Sequence, residues 1–97
     1  MFARVTKFKM KPASLADAKA HLNAVRDRIL GLAGLHQFLN VVDDDGYGYT
    51  ISVWDSEASA AANSGHVAEI WSGLAPHMDG PLEPGSYNVA VNLTNPA

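Results

Sequence analysis

Three observations in the sequence predict an α+β fold with elements in the order β-α-β-β-α-β. The hydrophobic period runs strand-like, then helix-like, then strand-like over two successive stretches, and repeats helix then strand. Asp45-Gly46 sits between those two middle stretches, and Asp-Gly is the strongest hairpin signal in the chain. A length of 97 residues, 47% hydrophobic and 18% charged, suits one globular domain over 1–97 and leaves little room for a second. That order is the split βαβ arrangement, which predicts a ferredoxin-like four-stranded antiparallel sheet with both helices on one face.

Each element has its own signal. Residues 2–10 alternate, with Phe2, Phe8 and Met10 on one face and Ala3, Val5, Lys7 and Lys9 on the other, and Lys11-Pro12 ends the strand. Residues 14–32 predict a helix: Leu15, Ala18, Leu22, Val25, Ile29 and Leu32 step by three and four into one apolar stripe. Ser14 is its expected N-cap, with Asp17 reaching back as in a capping box, and Gly31 and Gly34 supply the stop. Residues 35–43 predict a second strand, Asp43 to Gly46 a turn, and residues 47–54 a third strand. Asp55-Ser56-Glu57 starts a second helix over about 57–75, which Asn63-Ser64-Gly65 kinks or splits. Pro76 to Gly85 reads as a loop with three prolines, and residues 86–94 as the last strand, with Tyr87, Val89, Val91 and Leu93 alternating against Asn88, Ala90 and Asn92.

Two helices cover one side of such a sheet, yet the middle strands are apolar on both sides. The second offers Leu35, Leu39 and Val41 against Phe38 and Val42, and the third offers Ile51 and Val53 against Trp54. Soluble monomers avoid a contiguous apolar patch of that size. A homodimer packed sheet to sheet is the simplest cover, and the proline loop or the C-terminal tail is the alternative.

Composition narrows the function classes. Seven Lys and Arg against ten Asp and Glu give a net charge of −3, which argues against a protein that lives on nucleic-acid phosphates. The absence of cysteine excludes disulfide frameworks, zinc ribbons, iron–sulfur clusters and thiol nucleophiles. No signal-peptide layout opens the chain and no apolar run is long enough to span a membrane, so a cytoplasmic protein with no membrane partner is expected.

The motifs that could carry chemistry are few. Asp43-Asp44-Asp45 invites a calcium reading, but Tyr47 and Trp54 stand where a calcium loop needs its fifth and twelfth residues, so it reads as a solvated hairpin tip. Gly46-Tyr47-Gly48 lacks the third glycine and the Lys-Ser/Thr of a phosphate loop. No Gly-x-Ser-x-Gly elbow is present. The four histidines, at 21, 36, 66 and 77, include no i,i+4 pair, so no helical zinc site is expected. His21 borders the first helix stripe and reads as structural, and His77 lies in the loop.

His66 and Asn63 stand out. Asn63 is in step with Val67, Ile70 and Leu74, and His66 projects from a neighbouring position. An amide and an imidazole at the border of an apolar stripe are how a small-molecule cavity gets its polar groups, and histidine titrates in the range needed to move a proton. The competing reading is that Asn63 caps a helix break and His66 is solvated. His36, on the same strand face as Phe38 and Asn40, could line a cavity or satisfy a core hydrogen bond. Trp54 and Trp71 are large enough to wall it, or simply to fill the core.

The stretch Tyr49-Thr50-Ile51-Ser52-Val53-Trp54-Asp55-Ser56-Glu57-Ala58, followed by Ser64-Gly65-His66-Val67 and Leu74-Ala75-Pro76, resembles the antibiotic-biosynthesis-monooxygenase-like domains of the dimeric α/β-barrel superfamily. The likeness covers nearly the whole chain. It implies a homodimer with face-to-face sheets and a cavity in each subunit between sheet and helices. It also implies oxidation of polycyclic phenols by O2 with no metal or flavin, the deprotonated substrate supplying the electrons. On that likeness His66 would accept the proton of a phenol, Asn63 would orient it, and His36, Trp54 and Trp71 would wall the site. Many members carry a further His where this chain has Ala61. The haem-degrading branch has an Asn on its first strand, which is missing here, so haem degradation is disfavoured. The expected function is thus a cofactor-independent monooxygenase of an aromatic or quinone-type small molecule. A non-catalytic ligand-binding or stress-associated dimer, and an isomerase or dehydratase on the same scaffold, are the alternatives.

Overall fold

Alternating side chains make β1 (Phe2–Lys9) the inner strand on which the molecule is built. The computed structural model describes residues 1–96. β1 lies between β3 (Tyr47–Trp54) and β4 (Glu83–Asn88), and β2 (Leu35–Val42) pairs with the far edge of β3, giving the order β2-β3-β1-β4. Every pairing is antiparallel. Phe2, Thr6 and Phe8 of β1 and Gly48, Thr50 and Trp54 of β3 are buried on the helix side. Tyr47 and Tyr49 are exposed on the other.

The hairpin turn is held by its own aspartate. The Asp43 carboxylate accepts from the backbone N–H of Asp45 at 2.9 Å and of Tyr47 at 3.0 Å. Gly46 has φ 92°, and a Cβ there would fall 1.9 Å from the Met10 carbonyl oxygen, so only glycine fits.

The first helix differs from its prediction at both ends. Pro12–Ser14 forms a single 3-10 turn, and Ser14, with φ −100° and ψ 0°, makes no side-chain cap. An N-cap needs extended backbone, and Pro12, whose fixed φ suits a first helical position, has already begun the turn. The remainder divides into α1 (Leu15–Ala24) and α2 (Arg26–Leu30), broken at Val25. Beyond the break Ile29 is buried while Leu30 is exposed. The second helix also divides, at Asn63, into α3 (Glu57–Ala62) and α4 (Ser64–Leu74). Ser56 caps α3, its hydroxyl accepting from the Ser59 N–H at 3.1 Å.

Two strand expectations need correction. The pairing of β2 with β3 skips a residue between Leu35 and Gln37, a bulge at His36. One extra residue reverses the alternation before it, so Leu35 shares the helix side with Phe38 and not the outer face with Leu39. The last strand is Glu83–Asn88 and not 86–94. Its partner is β1, whose Phe2 pairs with Asn88, and past Asn88 the strand outruns β1 after one further bond, from the Val89 N–H to the Met1 carbonyl.

The core between helices and sheet falls into two clusters. Phe8, Met10, Ala18 and Leu74 form one, with Trp71 and Leu82 packed against it. Phe2, Trp54 and Ala60 form the other, with Leu32, Leu35 and Val67.

Candidate functional site

The helices do not seal against the sheet between these clusters. A cavity of about 260 Å³ remains there. Its floor is the helix-facing side of the strands: Arg4 and Thr6 of β1, Thr50, Ser52 and Trp54 of β3, and Phe38 of β2. Its roof is apolar, made by Ile29, Leu32, Val67, Ile70 and Trp71.

The two tryptophans are set firmly. Trp54 is 1% exposed, and its indole N–H donates to the Ser52 hydroxyl at 2.9 Å. Trp71 tilts against Phe8, with ring centroids 6.2 Å apart and planes at 59°. On the floor, the Asn40 amide donates to the Thr50 hydroxyl oxygen at 3.0 Å. Ile29 and Phe38 line this cavity and also a wider groove between α1, α2 and the β2 edge, so they stand between the cavity and the surface there.

The other sequence-predicted residues lie elsewhere. His66 is exposed and lines a shallow depression between α2 and α4 with Asn63, Asp27, Arg28 and Glu69, beside the cavity and not in it. Asn63 lines that depression but is 8% exposed, and its Nδ2 donates to the carbonyl oxygens of Ala33 at 3.0 Å and Ser59 at 2.9 Å. Both amide hydrogens are thereby used. His36 is exposed, and its Nε2 contacts the Asp55 carboxylate. The bulge explains this, since the inserted residue loses the inward phase that strict alternation assigns to it. Among the described residues no three His, Asp or Glu side chains converge as a metal site would require.

Arg4 is the residue that sequence reasoning missed. It is half-buried and, among the described residues, is the one ionisable side chain lining the cavity. A signal for it existed: Arg4 is in phase with Phe2, Thr6 and Phe8, the inward positions of β1.

No protein-family model matches this sequence, and no curated protein sequence matches it. Solved structures do. A Nitrosomonas europaea protein, provisionally named an antibiotic biosynthesis monooxygenase, superposes with a TM-score of 0.75 at 16% identity, covering 94% of this chain and all of its own. A similarly named protein from Caulobacter crescentus gives 0.78 at 12% identity, over 93% of this chain and 90% of its own. A Nitrosomonas europaea protein of unknown function gives 0.80 at 12% identity, over 99% and 95%. The chain has an antibiotic biosynthesis monooxygenase-like fold. At these identities the likeness establishes architecture and not chemistry.

Proposed function

We propose that the protein binds a planar aromatic molecule in the cavity between sheet and helices and oxidises it with O2. The observation that carries this reading is the cavity itself. It has an apolar roof that includes Trp71 and a floor that mixes Trp54 and Phe38 with hydroxyl side chains and Arg4. An apolar space of about 150 Å³ holds a benzene, so 260 Å³ has room for about two fused rings. The fold shared with proteins named as monooxygenases supports the reaction class.

For a hydroxynaphthalene the chemistry balances without a further reductant. One atom of O2 enters the ring para to the hydroxyl, the hydrogens of that C–H and of the O–H leave with the other atom as water, and the four electrons come from the ring, which becomes the quinone. The protein's part is to hold the ring flat between Trp54 and Trp71 and to exclude water. Among the described residues neither an imidazole nor a carboxylate lines the cavity, so the phenol proton passes to solvent on binding and solvent returns a proton to the departing oxygen.

The second reading is a ligand-binding protein without turnover, favoured by that same absence of an acid–base group. An isomerase or dehydratase fits less well, because each needs a placed proton donor or acceptor. An oxygen electrode separates the readings. Uptake with a panel of hydroxynaphthalenes, giving the quinones, is expected. Saturable binding without uptake from any of them would contradict the oxygenase and leave the binding protein.

We propose also that the uncovered sheet face makes a homodimer. Leu39, Val41, Tyr49 and Tyr87 lie on it and are between 42% and 59% exposed. Burying large apolar side chains of this kind is worth roughly 1.5–3 kcal/mol each.

A further inference from the structure

Among the described residues, the single ionisable side chain in the cavity is a cation with no counter-ion. The ion pairs among the described residues join Lys9 to Asp79, Arg28 to Glu69 and His36 to Asp55, and none includes Arg4. No side-chain hydrogen bond among the described residues involves it either. Its cross-strand neighbours are Ser52 on β3 and Ser86 on β4, both neutral. The acidic residue of β4, Glu83, pairs with Lys7, whose side chain belongs to the opposite face of β1. Arginine stays charged at any pH a protein survives. An unpaired arginine in the lining of a largely apolar cavity is therefore a standing site for an oxyanion, held by charge and by paired N–H donors.

We propose that Arg4 is the counter-ion for the ligand, and that the cavity selects planar aromatics carrying a delocalised oxyanion, either a carboxylate or an ionised phenol. The anion lies against β1, and the rings extend under Val67 and Trp71. The hydroxyls of Thr6 and Ser52 lie on the same floor and supply neutral donors beside the charge. This rests on the cavity being the ligand site, as proposed above. It adds a specificity that an apolar slot alone would lack, because such a slot favours the neutral form of any acid. It also gives the cavity without a base a way to ionise a phenol, since a fixed cation stabilises the phenolate and lowers the ligand's pKa.

The test is a titration read by tryptophan fluorescence, with 2-naphthoate, 2-naphthamide and 2-naphthol as probes. On the wild-type protein naphthoate is expected to bind about tenfold or more tightly than naphthamide, in keeping with a charge-assisted hydrogen bond. Arg4→Met should remove that preference while leaving naphthamide within about twofold, and Arg4→Lys should keep part of it. Naphthol affinity should rise with pH if the phenolate is the form bound, and stay flat with naphthoate preferred if the carboxylate is. Equal affinity of naphthoate and naphthamide for the wild type would overturn the role of Arg4 and leave the cavity standing. A naphthoate preference that survives Arg4→Met would do the same. Failure of every probe to bind would overturn both. The wild-type comparison decides even if Arg4→Met does not fold.

Discussion

Arg4 and Asn63 show how little a residue's type says without its neighbours. Each is a polar group in or near the core. Asn63 spends both amide hydrogens on the carbonyls of Ala33 and Ser59, tying the segment before β2 to α3. Arg4 spends nothing on the described protein and lines the cavity. Replacing Asn63 with Ala should therefore cost stability, about 1–3 kcal/mol for the two hydrogen bonds of a buried amide, read as a lower urea midpoint. His66 lies outside the cavity, so His66→Ala is expected to leave aromatic binding within about twofold. The same titration checks it, and a large loss of affinity would return the site to the depression between α2 and α4. Helical phase made both residues legible as neighbours. It could not say that the stripe they border faces a loop carbonyl on one side and water on the other, because that depends on how α3 and α4 reorient at their break.

At the scale of elements, β3 and its turn were the most legible parts. Strict alternation from Tyr47 to Trp54 and one Asp-Gly dipeptide determine both faces and the hairpin. Gly48 belongs to that pattern. A Cβ on it would lie 2.1 Å from the Val41 carbonyl oxygen and 2.8 Å from the Phe8 ring. Gly48→Ala should thus destabilise by about 1–3 kcal/mol, by the cost of overpacking, with a fall in thermal midpoint as the readout. The bulge at His36 and the end of β4 were not legible. Both are consequences of pairing: one of the register between β2 and β3, the other of where β1 begins. Residues 86–94 alternate well enough for a strand, but past Val89 β1 offers nothing left to pair with. Phe38 is the element-level control on ligand size. It stands with Ile29 between cavity and groove, so Phe38→Ala should join the two spaces and shift preference from two-ring to three-ring ligands.

For the whole molecule, the helices leave one sheet face bare and one cavity unfilled, and the two proposals answer those two facts. If the bare face is the dimer interface, Val41→Glu places a charge at a position that pairs with Tyr49 in the exposed apolar surface. It should shift the protein toward monomer in sedimentation at micromolar concentration. A wild-type protein that sediments as a monomer would remove the dimer without touching the cavity. If the cavity is the ligand site, filling it abolishes binding. Val67 lines the roof of the cavity and is half-buried. Val67→Phe fills the space with a ring of the protein's own. The measurement is 2-naphthoate affinity of that variant beside the wild type, each checked for an intact thermal transition. Loss of binding by about a hundredfold in a folded variant is the expected result, since an occupied cavity cannot admit a second ring system. Unchanged affinity in a folded variant would place the ligand elsewhere and contradict the account.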